Sequence, residues 1–365
     1  MIAQSHHQPR KRFGQNFLHD PGVIQRILGA VNAQPGQALV EIGPGQGAIT
    51  AGLLQSAGVL DVIELDRDLI APLAQRFNGQ VIDPQIDQQM DQQIDQHMDQ
   101  HMDQHMDQQL VVEVDRQPPP RLRIHNADAL TFKLCSLLPA GSRRQRSLGP
   151  TDSTVDAVDR CNDRCNDRRN DRSNQDQGPN RELDPGADHP GQDQRIEPRL
   201  RLIGNLPYNI STPLLFRFLD QADCIEDMHL MLQKEVVDRM TAEPGTKVYG
   251  RLSVMVQTFC SAQRLFLVSA GAFHPAPKVS SAVIRLRPHR RLPYPLADPS
   301  WHARIVAAAF AQRRKTLRNS LSGLVSSEQM TAQGIDPGAR AETLSVANFA
   351  ALANATSACI EAQIP

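Results

Sequence analysis

Ala38-Leu39-Val40-Glu41-Ile42-Gly43-Pro44-Gly45-Gln46-Gly47 decides the fold. Its first five residues read as a short strand. Its glycines read as a tight turn opening a helix from Ala48 to Ala57. Val59 to Asp66 reads as a second strand with Glu64 near its end, and Asp68 to Phe77 as a second helix. This is a β-turn-α-β unit of a mostly parallel sheet. The turn lets a ligand approach the backbone at a helix N-terminus. A carboxylate at Glu64 suits a ribose diol, because it accepts from both hydroxyls. Dinucleotides and S-adenosylmethionine both use such a pairing. The spacing Gly-x-Gly-x-Gly, rather than Gly-x-Gly-x-x-Gly, argues against the dinucleotide. A plain glycine turn beside a solvated Glu64 is the structural alternative.

Outward from this unit, Leu122 to Asp128 reads as a third strand, followed by a helix from Ala129 to Leu138. Asp128 is placed either to accept from an adenine amino group or to cap that helix. Leu200 to Ile203 reads as a buried strand leading into Gly204-Asn205-Leu206-Pro207-Tyr208, and Thr212 to Phe216 as a helix with proline in its first turn. A turn leaving the carboxyl end of a strand lies where open α/β sheets bind ligands. An exocyclic adenine amine is a poor nucleophile, since its lone pair is delocalised into the ring. Acceptors for its two N–H groups draw the nitrogen toward tetrahedral geometry. Asn205 offers a side-chain oxygen, and Leu206 offers a carbonyl fixed by Pro207. Tyr208 offers a face for stacking or, on the structural reading, packs in the core.

The average composition conceals two unusual tracts. The chain has 365 residues, 40% hydrophobic and 4% aromatic, with a net charge of −1. Within a tract from about 83 to 120 a (Gln/His)-(Met/Ile)-Asp-Gln tetrapeptide recurs from about Gln85 to Leu110, and Asp83 to Asp115 carries nine acidic residues and no Lys or Arg. Without them the remainder stands at +8. From about 141 to 198 Asn-Asp-Arg recurs among Gln, Gly and Pro. Neither tract has the apolar content to offset its ordering entropy, so both are expected to be tolerated insertions in surface loops. His97, His101 and His105 recur with the repeat, and no metal site is expected from them. Cys161 and Cys165 lack a second ligand pair. The six cysteines are scattered and are expected to be free thiols. No apolar run reaches membrane-spanning length. Between Arg285 and Arg318 nine Lys or Arg face one acid, Asp298. That basic stretch reads as a phosphate-binding surface or as a solvated face.

The sequence resembles the ribosomal small-subunit (16S) RNA adenine dimethyltransferases. The resemblance is carried by Lys11 to Leu18, Val40 to Gly45, Ile63 to Arg67, Asp128-Ala129, Gly204 to Thr212, Met231 to Glu235, Tyr249 to Ser253, Phe273 to Ala282 and Gln312 to Ser320. It implies a class I S-adenosylmethionine-dependent methyltransferase fold, Rossmann-like, with a seven-stranded, mostly parallel sheet whose last strand is antiparallel. It implies N6,N6-dimethylation of two adjacent adenosines near the 3′ end of 16S ribosomal RNA, with S-adenosylmethionine as donor and no metal. Donor-binding positions map onto Asn16, Leu18, Gly43, Glu64, Asp128 and Asn205. The acceptor site maps onto Asn205, Leu206, Pro207, Tyr208 and Phe273, with Tyr208 and Phe273 sandwiching the base. The expected layout is a methyltransferase domain over 1–290 and a helical RNA-docking domain over 291–365, the latter using Arg313, Arg314, Lys315 and Arg318. A cytoplasmic monomer acting on the small subunit or its precursor is expected. The competing readings are a large-subunit RNA adenine methyltransferase, a non-catalytic assembly factor and a nicotinamide-dependent oxidoreductase, which has no use for residues 205–208.

Overall fold

A computed structural model describes residues 15–82, 121–139, 198–312 and 314–361. Both repeat tracts except Pro198, with His97, His101, His105, Cys161 and Cys165, lie outside the described residues, as do Arg313 and the segment 11–14.

Ten strands are present among these residues: β1 (Phe17–Leu18), β2 (Ala38–Ile42), β3 (Val59–Glu64), β4 (Gln80–Ile82), β5 (Arg121–Asn126), β6 (Leu200–Asn205), β7 (Ile225–Gln233), β8 (Cys260–Val268), β9 (Phe273–His274) and β10 (Ser281–Pro288). Eight form one sheet in the order β4-β5-β3-β2-β6-β7-β10-β8. Only β10 runs against its neighbours, pairing antiparallel with both β7 and β8. The sheet has one strand more than expected, because Gln80–Ile82 adds a short parallel edge to β5. β1 and β9 pair antiparallel in a separate two-stranded ribbon.

The sheet is buried on both faces, as a parallel sheet flanked by helices must be. Val40 and Ile42 of β2 enter one apolar cluster, with Leu202, Leu230, Ile284 and Phe218. Leu39 enters another, with Leu60, Val62, Ile124 and Leu53. The period-two alternation of the strand thus feeds two cores. Each fully buried Leu, Ile or Phe contributes about 1.5–3 kcal/mol. The helices over the first half are α1 (Pro21–Val31), α2 (Thr50–Ala57) and α3 (Arg67–Phe77). Asp20 caps α1 by accepting from the Val23 amide at 2.9 Å, and Pro21 follows at its first position. Asp66 caps α3 by accepting from the Asp68 amide. The amino ends of the strands are locked by a buried ion pair. Arg201 donates to both carboxylate oxygens of Asp227 at 2.9 Å, to Gln37 at 2.8 Å and to the Val31 carbonyl at 2.8 Å.

The second half carries α4 (Ser211–Leu219), α5 (Lys234–Met240), α6 (Arg251–Phe259), α7 (Pro299–Phe310), α8 (Leu317–Ser320), α9 (Ser327–Ala332) and α10 (Val346–Glu361). Ile305, Leu317, Phe349 and Leu352 share an apolar cluster with Tyr249, Val254 and Met255. The C-terminal helices therefore pack directly on α6.

Two expectations are corrected. Residues 129–138 are not a helix. The Asp128 carboxylate accepts from the Leu130 amide in a local turn, and only Leu134–Leu137 adopts a 3₁₀ turn. The Gln221 side chain ties this segment down, accepting from the Leu134 amide at 2.7 Å and donating to the Phe132 carbonyl at 3.2 Å. Those bonds compete with helical pairing. Nor are all cysteines free. Cys135 and Cys224 form a disulfide, with Cα atoms 5.5 Å apart. Both flank the bridge that Gln221 makes, which brings them together although 89 positions separate them. Cys260 is a buried free thiol, pushed up to about 12 by burial.

Candidate active site

The carboxyl ends of β2, β3, β5 and β6 converge on a cavity of about 290 Å³. Nine of the sequence-derived positions line it: Asn16, Leu18, Gly43, Glu64, Asp128, Asn205, Leu206, Pro207 and Tyr208. The parallel sheet collects Gly43, Glu64, Asp128 and residues 205–208 because each lies at or just past the carboxyl end of a strand, and Asn16 and Leu18 join them from the β1 ribbon.

Gly43, Gly45 and Gly47 all have positive φ, at 63°, 58° and 77°. A Cβ built on Gly43 would meet nothing within 4 Å, so the space over this turn is open to a ligand. Glu64 is 6% exposed. It accepts from the Asp66 amide at 2.9 Å and from the Gly45 amide at 3.2 Å. Burial raises its pKa, against the pull of those two amides. Leu65 beside it stays 45% exposed, an apolar surface for a planar ring at the cavity edge.

The acceptor turn is held from three sides. The Asn205 amide donates through Nδ2 to the Asn16 carbonyl at 3.0 Å, which leaves Oδ1 to accept. The Leu206 amide donates to the Met231 carbonyl at 3.1 Å. The Tyr208 hydroxyl and Ser281 Oγ are 2.6 Å apart, which fixes the ring. Burial raises the Tyr208 pKa, opposed by that bond. Gly204 permits the close approach of β6 to β2, since a Cβ there would lie 2.9 Å from the Ile42 carbonyl oxygen.

Asp128 stands at a local turn rather than at a helix start. One oxygen caps the local turn, and the residue still lines the cavity.

Phe273 is not brought to the site. It is 2% exposed and does not line the cavity, because β9 pairs with β1 and sets Phe273 opposite Leu18. In this structure its ring belongs to the core. Arg314 and Arg318 are exposed and lie outside the cavity wall, and Lys315 lines a different cavity.

Residues that sequence reasoning missed include Glu41, Asp66, Gln15 and Phe17. Glu41 carried a visible signal, a charge inside an apolar strand. It is 2% exposed, accepts from Thr50 Oγ1 at 2.7 Å, and burial pushes its pKa up to about 7.

Among the described residues the cavity wall holds four carboxylates, Glu41, Glu64, Asp66 and Asp128, and no Lys or Arg. Such a wall favours a cationic ligand and repels a pyrophosphate. With the glycine cradle and the carboxylate for a diol, the donor set fits S-adenosylmethionine, which carries a sulfonium and an ammonium, and not a nicotinamide dinucleotide. No group of three or more metal-binding side chains occurs among the described residues.

The ribosomal RNA adenine dimethylase family matches this chain over residues 6–87 and 87–357. Ribosomal RNA small subunit methyltransferase A of Methylococcus capsulatus is 43% identical over 346 residues, covering 95% of this chain and 97% of that protein. Its counterpart from Pseudomonas aeruginosa is 41% identical over 348 residues, covering 95% and 94%. Among solved structures, the 23S rRNA methyltransferase ErmE aligns with a TM-score of 0.53 at 19% identity, over 94% of this chain and 100% of that one. A dimethyladenosine transferase from Plasmodium falciparum aligns with a TM-score of 0.53 at 18% identity, over 92% and 95%. These two show the fold.

Proposed function

The chain belongs to the ribosomal RNA adenine dimethylase family, and from that premise we propose that it dimethylates two adjacent adenosines near the 3′ end of 16S ribosomal RNA, in the small subunit or its precursor. It is an S-adenosylmethionine-dependent ribosomal RNA adenine methyltransferase. The observation that carries the residue assignment is the acidic cleft joined to an oriented Asn205 amide.

The bound donor supplies a methyl group activated on a sulfonium. The amine lone pair would take that methyl group, the methyl–sulfur bonding pair staying on sulfur, and the nitrogen would release a proton to water. The protein supplies position and acceptors rather than a nucleophile. Glu64 would hold the ribose hydroxyls, the turn at Gly43 would leave room for the donor beside it, and Asp128 would accept from the donor's adenine amine. Asn205 Oδ1 and the Leu206 carbonyl, set by Pro207, accept from the target amine. Tyr208, held by Ser281, stacks on its ring. In the second round only one N–H remains, so one acceptor suffices and the first methyl rotates aside.

The reading extends to a cytoplasmic monomer. Residues 291–365 dock RNA through Arg313, Arg314, Lys315 and Arg318, of which Arg314, Lys315 and Arg318 are exposed. No helix of the described residues is long and apolar enough to cross a membrane.

The test uses labelled S-adenosylmethionine and unmethylated small subunits. Label is expected in adenosine as N6,N6-dimethyladenosine, falling about 10²-fold or more with Asn205→Ala, the scale on which a transition-state hydrogen bond acts. Label in large-subunit RNA instead overturns the substrate assignment.

A further inference from the structure

Cys135 and Cys224 form the one disulfide among the described residues. Nothing in the methyl transfer uses it. On the cytoplasmic reading above, the chain works where thiol buffers keep cysteines reduced, and disulfides that form there are mostly transient and redox-sensing.

The bond sits where it can reach the donor. Ala127, Asp128, Ala129 and Leu130 follow β5 and line the donor cavity. Cys135 lies seven positions beyond Asp128. No strand or α-helix holds the segment between them. Its anchors are the two Gln221 hydrogen bonds, the buried Leu134 and Leu138, and the disulfide. At the other end Cys224 is the residue before β7. The covalent ring spans 89 positions and contains β6, the acceptor turn and α4.

Both redox states are provided for. Cys224 is 6% exposed, but Cys135 is only half-buried and open to a small reagent. The Cα atoms, 5.5 Å apart, stand at the ordinary separation for a disulfide. The Cys224 sulfur is also 3.2 Å from the Gln221 carbonyl oxygen, so the thiol set free by reduction has an acceptor waiting. Gln221 itself keeps its hold on Leu134 and Phe132 in either state. Cys260 lacks this access: it is buried, and burial pushes its thiol up to about 12, which leaves it unreactive.

Resting on the donor role given to Asp128, we propose that Cys135 and Cys224 are a thiol–disulfide switch on donor affinity, the oxidised form fixing the Asp128 segment and the reduced form loosening it. The oxidant is a small disulfide of the glutathione class. The Cys135 thiolate attacks one of its sulfurs and expels one small thiolate. The Cys224 thiolate then attacks the Cys135 sulfur and expels the second. The two protons lost by the protein go to those leaving thiolates, so two protein thiols are oxidised and one small disulfide is reduced.

The full chain is equilibrated in buffers of reduced and oxidised glutathione, its cysteine pairing is mapped by mass spectrometry of peptides, and S-adenosylmethionine binding is measured by calorimetry without RNA. The oxidised form is expected to bind the donor about 5-fold more tightly, the low end of coupling between sites. Cys135→Ser and Cys224→Ser are expected to stay at the reduced value in every buffer. By reciprocity, saturating donor is expected to multiply the ratio of oxidised to reduced protein by the same factor, which a merely structural crosslink would not do. In Asp128→Asn the bond is expected to form while the remaining donor affinity no longer follows it. Equal donor affinity in the two mapped states overturns the proposal, and so does Cys135 paired with any cysteine but Cys224. Donor affinity that follows the buffer in a protein unable to methylate small subunits would refute the function above and leave the switch standing.

Discussion

Glu41 holds a carboxyl group in the middle of β2, 2% exposed and shifted by burial to about 7. Its folded pKa lies above the ordinary value of 4.5, so between those two pH values the folded protein keeps a proton that the unfolded chain has lost. The stability linked to that proton is complete below about pH 4.5 and gone above about pH 7, about 3 kcal/mol in all. Glu41→Gln keeps an acceptor for Thr50 and removes the titration. Urea unfolding at pH 5 and pH 8 is expected to show the variant gaining on the wild type as pH rises; parallel curves would reject this account. At this scale the sequence was legible where a residue's chemistry is needed by its neighbours in the chain. Asn205 and Glu64 each end a strand and declare themselves by type and spacing. Phe273 did not, because its exposure depends on β1, a strand of two residues that no periodicity reveals. Glu41 was read as a strand residue, since the apolar residues around it dominated the pattern.

The element most sensitive to a small change is β6. A methyl group at Gly204 would lie 2.9 Å from the Ile42 carbonyl oxygen, a backbone atom that moves only if β2 moves. At Gly47 a methyl would meet Phe77 at 2.6 Å, a closer approach but to a side chain that can turn away, with the added strain of φ 77°. Gly204→Ala is therefore expected to cost about 1–3 kcal/mol and to weaken donor binding as well, because Asn205 is the next residue. Thermal melts with and without S-adenosylmethionine check both; an unshifted midpoint with undiminished ligand stabilisation would contradict the packing argument. The strands around the glycine turn were readable because both periodicity and turn chemistry act locally. The segment after Asp128 was not, because its hydrogen bonds go to Gln221, far along the chain. The edge strand Gln80–Ile82 and the Cys135–Cys224 bond likewise depend on what the fold brings alongside.

For the whole molecule, the buried titrating groups oppose one another. His302 is fully buried with both ring nitrogens unpartnered among the described residues, and burial lowers its pKa from 6.5 to about 4. Its folded value is depressed, so its neutral form contributes stability that is present above pH 6.5 and lost as pH falls toward 4. His229, also lowered to about 4 with burial the main cause and Asp227 opposing, acts in the same direction. Glu41 acts in the other. His302→Leu is expected to stabilise the protein more at pH 5 than at pH 8, by about 2 kcal/mol. Urea titrations at the two pH values read the difference, and equal effects at both would refute it. The architecture as a whole was the most legible level, since a glycine turn between strand and helix commits the chain to a parallel sheet and the sheet to a site at its carboxyl edge.

The β1–β9 ribbon sets a time as well as a place. Phe17 pairs in β1 with His274, and beside it Asn16 supplies the carbonyl that orients Asn205. On a chain still being synthesised, the residues that begin this wall of the cleft emerge early and wait for the strand that pins them until most of the sheet has been made. A nascent polypeptide short of residue 274 has its glycine cradle and its acceptor turn, and its N-terminal wall lacks the pairing with β9. The pairing that completes this wall of the cleft is thus made only after residue 274 has been synthesised.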